Sequence, residues 1–228
     1  MSDLLIKQTA AHVQAAMSDE GSGHDWWHVW RVWNMAQRIA KNEAARGADV
    51  DTQVVELAAL LHDLGDHKFH GGDVSVAPRM TRDWLHSLGA DAETIEAVAE
   101  IVGTLSFKGA NVETPMRTLE GRIVQDADRL DAIGAIGIAR TFAYGGHKGR
   151  ELYNPDVPPL QHDDFAAYSG SASPSINHFY EKLLLLKERM NTDDAKRFAE
   201  ERHRFMEQFL EQFFEEWNGD DGINDARR

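Results

Sequence analysis

The stretch ALLHDLGDHKFHGGD, Ala59–Asp73, sets His62 and Asp63 side by side at the end of a run that is otherwise almost wholly apolar. Just upstream, Val54, Val55, Leu57, Ala58, Ala59, Leu60 and Leu61 leave almost no polar face, so the segment opened by Thr52 reads as a central, buried helix. Gly65 stands where a helix commonly stops on a glycine. An imidazole and a carboxylate buried there without partners would each carry a desolvation cost on the order of several kcal/mol, or give up their charge. A shared cation satisfies both, and the last turn of a helix, where the backbone dipole is negative, favours one.

Outward from this helix the same periodicity recurs near residues 2–18, 25–46, 75–88, 92–106, 133–144 and 193–217, and no segment alternates as a strand does. Thr114-Pro115 and Ser173-Pro174 each pair a capping hydroxyl with a proline, which predicts helices from there to about Asp131 and to about Met190. In RFMEQFLEQFFEEW, residues 204–217, Phe205, Phe209 and Phe213 recur four apart, which predicts a core-facing aromatic stripe and a hairpin with the 174–190 helix. Residues 145–173, rich in Gly, Pro, Ser and Asp, are expected to form a long loop acting as a lid, with Lys148 and Arg150 toward a substrate's outer phosphates. The expectation is one all-α domain over residues 1–217, with a core at about 20–145 and an unstructured tail from 218.

Composition narrows the chemistry. The 228 residues include no cysteine, so disulfides, thiolate metal sites and cysteine nucleophiles are excluded, and any metal must take His, carboxylate or water ligands. A formal charge of -14 disfavours long nucleic acid as a partner. A small anion remains accessible where a cation and a few Lys or Arg reverse the local field. With no leader pattern and no uncharged apolar window of about 18 residues, the chain reads as soluble and cytoplasmic; homo-oligomerisation stays open.

The His62-Asp63 pair has company. GHDWWHVWRV, residues 23–32, carries His24 and His28 four apart, with Arg31 three residues beyond His28. RIVQDADRLDAIGAIGIAR, residues 122–140, carries Asp126, Asp128 and Asp131 on or near a helix end. Helical geometry puts Asp126 and Asp131 at the borders of the apolar stripe and Asp128 farther round, so periodicity alone does not choose among them.

The succession His28, His62-Asp63 and an aspartate within Ala127-Asp128-Arg129-Leu130 resembles the HD-domain phosphohydrolase superfamily, whose metal ligands follow the order H...HD...D. HDWWHVWRV, ALLHDLGDHKF, the SFKG of residues 106–109, the 122–140 stretch and the pair INHFYEKLL and EERHRFMEQFLEQF extend the resemblance to small stand-alone bacterial HD hydrolases, over most of residues 20–217. The resemblance implies an HD-domain helical bundle with a C-terminal helical hairpin, and metal ligands His28, His62, Asp63 and, among the three aspartates, Asp128. It also implies a general acid or base at Asp66, one helical turn's spacing after Asp63. Lys68 as a point charge and Arg31 as a bidentate fork are candidates for the substrate's phosphates.

Such a nitrogen and oxygen set suits one divalent ion, manganese first, with Fe, Co, Ni, Zn or Mg as alternatives. The implied activity is hydrolysis of a small nucleotide, a deoxynucleoside triphosphate to monophosphate and pyrophosphate, by water activated on the ion. Nucleoside 5'-monophosphates, cyclic nucleotides and guanosine tetraphosphate are alternative substrates. A non-catalytic nucleotide or metal sensor would use the same pocket.

Overall fold

The computed structural model describes residues 2–17, 25–65, 75–105, 112–160 and 173–220, and among them the regular structure is entirely helical. The elements are α1 (Ser2–Ala16), α2 (Trp26–Ala45), α3 (Thr52–Leu61), α4 (Val76–Ser87), α5 (Ala92–Thr104), α6 (Leu119–Asp131), α7 (Gly134–His147), α8 (Asn177–Glu181) and α9 (Asp193–Asn218). Two short 3-10 turns, Leu183–Leu185 and Lys187–Arg189, lie between the last two.

Helix α3 is the centre, packed by α1, α2, α5 and α6. Its residues Val54, Val55, Leu57, Ala58, Ala59, Leu60 and Leu61 are all buried, as a helix without a polar face must be. Thr52 opens it as expected, and Asp51 caps its start, accepting from the Gln53 and Val54 amides. Just past its end the chain turns at Gly65, whose φ of +83° suits glycine. A β-carbon there would also lie 2.8 Å from Met80 Sδ and 3.3 Å from the Ala77 Cα. The turn after His62-Asp63 therefore sits against the start of α4.

Both hydroxyl-proline signals mark something other than the helix starts expected of them. Helix α6 begins at Leu119, capped by Thr118 Oγ1 accepting from the Gly121 amide. Thr114 instead accepts from Gln125 Nε2 through its carbonyl and from Arg129 Nη2 through its hydroxyl, lying alongside the helix it was expected to open. Ser173 Oγ donates to Glu181 Oε1, and α8 starts later, at Asn177, without a side-chain cap. The 174–190 arm of the hairpin is thus a five-residue helix followed by the two 3-10 turns, broken at Lys182 (φ -144°, ψ -58°).

Helix α9 starts where expected, with Thr192 as cap, and runs one residue beyond Trp217 to a left-handed Gly219. Its buried residues include Met206 and Leu210, whereas Phe205 is 49 % exposed, so the stripe is rotated from the one expected. Phe209 and Phe213 flank it, stacking on Phe179 and Trp217 and meeting Phe142 and Tyr153 edge to face. Helix α7 extends to His147, into the expected loop, and Tyr153 ties the segment after it to α9. Lys148 and Arg150 both lie over the Tyr144 ring, and residues 161–172 of the expected lid fall outside the described residues. Among the described residues no helix is long and apolar enough to cross a membrane.

Candidate metal centre

Helices α2, α3 and α6 meet at one point because each presents a polar group at the edge of an apolar face. Asp25 caps α2, and its Oδ1 accepts from the His28 amide at 2.9 Å, which fixes His28 in the first turn. His62 and Asp63 leave the end of α3, and Asp128 lies in the last turn of α6. His28 and His62 are buried, their rings edge to face with centroids 5.1 Å apart.

The ring nitrogens are assigned by their outer partners. His62 Nδ1 lies 2.8 Å from the Ala59 carbonyl, which can only accept, so Nδ1 carries the proton. His28 Nδ1 lies 2.7 Å from Asp131 Oδ2. Burial presses the Asp131 carboxyl upward, but hydrogen bonds from His28 and Arg31 outweigh it and hold Asp131 well below the usual carboxylate range. Asp131 is therefore an anionic acceptor, and His28 Nδ1 also carries its proton. In the neutral rings both Nε2 atoms are lone pairs, and they face each other across 3.2 Å.

Around those nitrogens stand two more negative groups. Asp63 Oδ2 is 3.2 Å from His28 Nε2 and Asp63 Oδ1 is 3.6 Å from His62 Nε2. Asp128 Oδ1 is 3.6 Å from His28 Nε2 and 3.8 Å from His62 Nε2. Four electron-rich groups converging in a buried space repel one another unless positive charge sits among them. The His28 pKa registers the same demand. Burial and the Arg140 charge lower it, yet the Asp131 and Asp63 carboxylates prevail and hold it above the ordinary value. Two imidazole nitrogens and two carboxylates suit a divalent cation, and His28, His62 and Asp128 offer ligand atoms within 4.8 Å of one another.

The three aspartates of α6 separate by what their oxygens already hold. Asp126 takes Asn191 N and Nδ2 on Oδ1, and Thr192 N and Oγ1 on Oδ2, all at 2.7–2.8 Å. Asp131 takes Arg31 Nε on Oδ1, and His28 Nδ1, Arg31 Nη2 and Arg140 Nη1 on Oδ2, at 2.6–3.0 Å. Each carboxylate thus accepts four hydrogen bonds from the protein, two on each oxygen at Asp126 and three on Oδ2 against one on Oδ1 at Asp131. Asp128, with its side chain 31 % exposed, turns an oxygen toward the imidazoles instead.

The structure thus gathers His28, His62, Asp63 and Asp128. Arg31, expected to fork on a substrate phosphate, forks on Asp131. Asp66, Lys68 and His24 lie outside the described residues. Asp131 and Arg140 were not among the expected site residues. The stripe-border position of Asp131 was a usable signal, but nothing in the sequence brings Arg140 back onto α6, since that depends on the turn at Gly134 (φ +76°).

Comparison with known proteins agrees with this geometry. The HD domain family model matches residues 26–133, the span that contains all four gathered residues. YpgQ of Bacillus subtilis (strain 168) is 43 % identical over 208 residues, covering 90 % of each chain. An HD-superfamily hydrolase of Bacillus thuringiensis superposes with a TM-score of 0.72 at 43 % identity, over 96 % of this chain and 99 % of its own. The crystal structure of B. subtilis YpgQ in complex with ADP superposes with a TM-score of 0.71 at 37 % identity, over 92 % of this chain and 97 % of its own. The chain belongs to the HD-domain superfamily of metal-dependent phosphohydrolases.

Proposed function

We propose that this hydrolase cuts a small cytoplasmic nucleotide, a deoxynucleoside triphosphate to monophosphate and pyrophosphate, with His28, His62, Asp63 and Asp128 as the ligands of one divalent ion, manganese first. The observation that carries the metal site is the pair of Nε2 atoms 3.2 Å apart between two carboxylates, with the Nδ1 of each ring bonded to an acceptor on its other side. What supports a nucleotide is the ADP bound by YpgQ, 37 % identical in the superposition.

When bound, the ion lowers the pKa of water to supply a nucleophile near neutral pH and withdraws charge from the phosphoryl group. Asp63 and Asp128 offset the ion's charge, and Asp131 and the Ala59 carbonyl keep the two rings aimed. Arg31 and Arg140 bring two positive charges against the single negative charge of Asp131, a local balance that attracts phosphate in a chain whose formal charge is -14. Asp66 serves as the general acid or base, and Lys68 meets the substrate's phosphates, while Arg31 keeps its fork on Asp131.

The test is a nucleotide panel with manganese-loaded protein, analysed for phosphate against pyrophosphate. Pyrophosphate from deoxynucleoside triphosphates, abolished by Asp63→Ala and reduced about a hundredfold in kcat by Asp66→Asn, is expected. Phosphate from monophosphates, or opening of cyclic nucleotides, would move the reading to those substrates. Tight nucleotide binding without turnover would make the protein a sensor.

A further inference from the structure

We propose that Asp131 is a positioning residue for metal binding: held by Arg31 and Arg140, it fixes the direction and the tautomer of His28 and thereby sets the site's affinity for its cation. This rests on the metal reading above and adds a residue from outside the ligand set.

The two imidazoles are held in different ways. His62 is anchored on the main-chain carbonyl of Ala59, part of its own helix end. His28 has its anchor on another helix, 103 residues along the chain, in a single carboxylate oxygen. That oxygen, Asp131 Oδ2, also takes Arg31 Nη2 at 3.0 Å and Arg140 Nη1 at 2.9 Å, while Arg31 Nε takes Oδ1 at 2.6 Å. Arg31 comes from α2, one turn beyond His28, and Arg140 comes from α7, so the carboxylate is gripped from both neighbouring helices. Two guanidinium groups are more than charge balance for one carboxylate needs. The Arg31 fork, with Arg140 Nη1 bonded to the same Oδ2, instead fixes the carboxylate plane, and with it the line along which His28 Nδ1–H points.

Fixing that proton on Nδ1 leaves the Nε2 lone pair facing the site, and a negative hydrogen-bond acceptor makes the ring a better donor to a cation. Asp131 meets His28 on Nδ1, the ring nitrogen opposite the one that faces His62 and Asp63, so it stands behind the ring. Its part is orientation and basicity.

Cobalt(II) alone is the probe. Metal-free protein is titrated by calorimetry, and the exchangeable ring N–H signals of the two histidines are followed by NMR in the cobalt form. Asp131→Asn should keep its amide oxygen at the Oδ2 place, where three donors aim, and turn its NH2 toward Arg31 Nε, so the ring stays aimed but loses its anionic partner. Affinity should fall about tenfold for Asp131→Asn and nearer a hundredfold for Asp131→Ala. The His28 Nδ1–H signal should shift in the Asn variant and exchange rapidly in the Ala variant, while the His62 signal, anchored on Ala59, stays in place. Both variants should keep the helix content of the metal-free wild type, and Asp131→Asn decides alone where the alanine chain does not fold. Wild-type affinity with both N–H signals unmoved would overturn the role of Asp131 and leave the metal site standing. Failure of the wild type to take up cobalt would remove the metal reading itself.

Discussion

Replacing Asp126 by alanine should unfold the molecule more readily without touching metal binding, the opposite of what Asp128→Ala should do two residues away. Asp126 is fully buried and joins α6 to the start of α9 by four hydrogen bonds. In the alanine variant the Asn191 amide side chain still has Gln125 Oε1, and the Thr192 hydroxyl still accepts from the Ala195 amide. The main-chain amides of Asn191 and Thr192 lose their acceptor. Each buried donor left unsatisfied costs about 1–3 kcal/mol, and the lost carboxylate volume adds a small cavity, giving about 3–7 kcal/mol in all. For a chain of this size each kcal/mol moves the melting temperature by about 2–4 °C, so a fall of roughly 6–28 °C is expected. Thermal and urea unfolding of the metal-free protein measure it, with cobalt titration in parallel. A melting temperature within about 2 °C of wild type, or loss of metal from a stably folded variant, would refute the division of labour drawn among the three aspartates.

Two further substitutions probe the frame around the site. Gly65→Ala forces a β-carbon into the left-handed region and within 2.8 Å of Met80 Sδ, so it should cost about 1–3 kcal/mol in urea unfolding and weaken cobalt binding through the turn after Asp63; wild-type values for both would contradict the close packing there. Asp194, away from the metal centre, accepts from Asn42 Nδ2, Arg46 Nη2 and Arg197 Nη2. Burial presses its carboxyl up, but those bonds hold it below the ordinary value. A depressed carboxylate pKa contributes stability that is present above the unfolded value of about 3.9 and is lost as pH falls through the folded one. Asp194→Asn should therefore be less stable than wild type near neutral pH, with the gap closing below about pH 4; a gap independent of pH would exclude the charge as its source.

What could be read from the sequence follows from how local each cause is. Helix α3 was legible because burial on all sides erases the polar face, and Gly65 because a left-handed residue leaves few alternatives. Thr114 and Ser173 misled because a hydroxyl is a cap only when the adjacent amides want it; both serve distant partners, Arg129 and Glu181, that a local reading cannot see. Phe205 misled for a related reason. Spacing of four identifies a stripe but not its rotation, and α9 turns Met206 and Leu210 inward instead. At the site, His28, His62 and Asp63 were visible as residue types at helix ends, whereas choosing Asp128 from its neighbours needed the family resemblance. The structure gives that choice a physical basis, since Asp126 and Asp131 already accept from donors brought by the N-cap of α9, by α2 and by α7. Arg31 was expected to fork on a substrate phosphate, and its fork goes instead to a carboxylate 100 residues away.

The central claim is that four groups from three helices converge because a divalent cation belongs among them. Equilibrium dialysis of metal-free protein against manganese, with metal content measured per chain, tests it most directly. The expected result is one equivalent bound by the wild type and none by His62→Ala or Asp128→Ala, each still helical. No uptake by the wild type, or one equivalent retained by both variants, would contradict it.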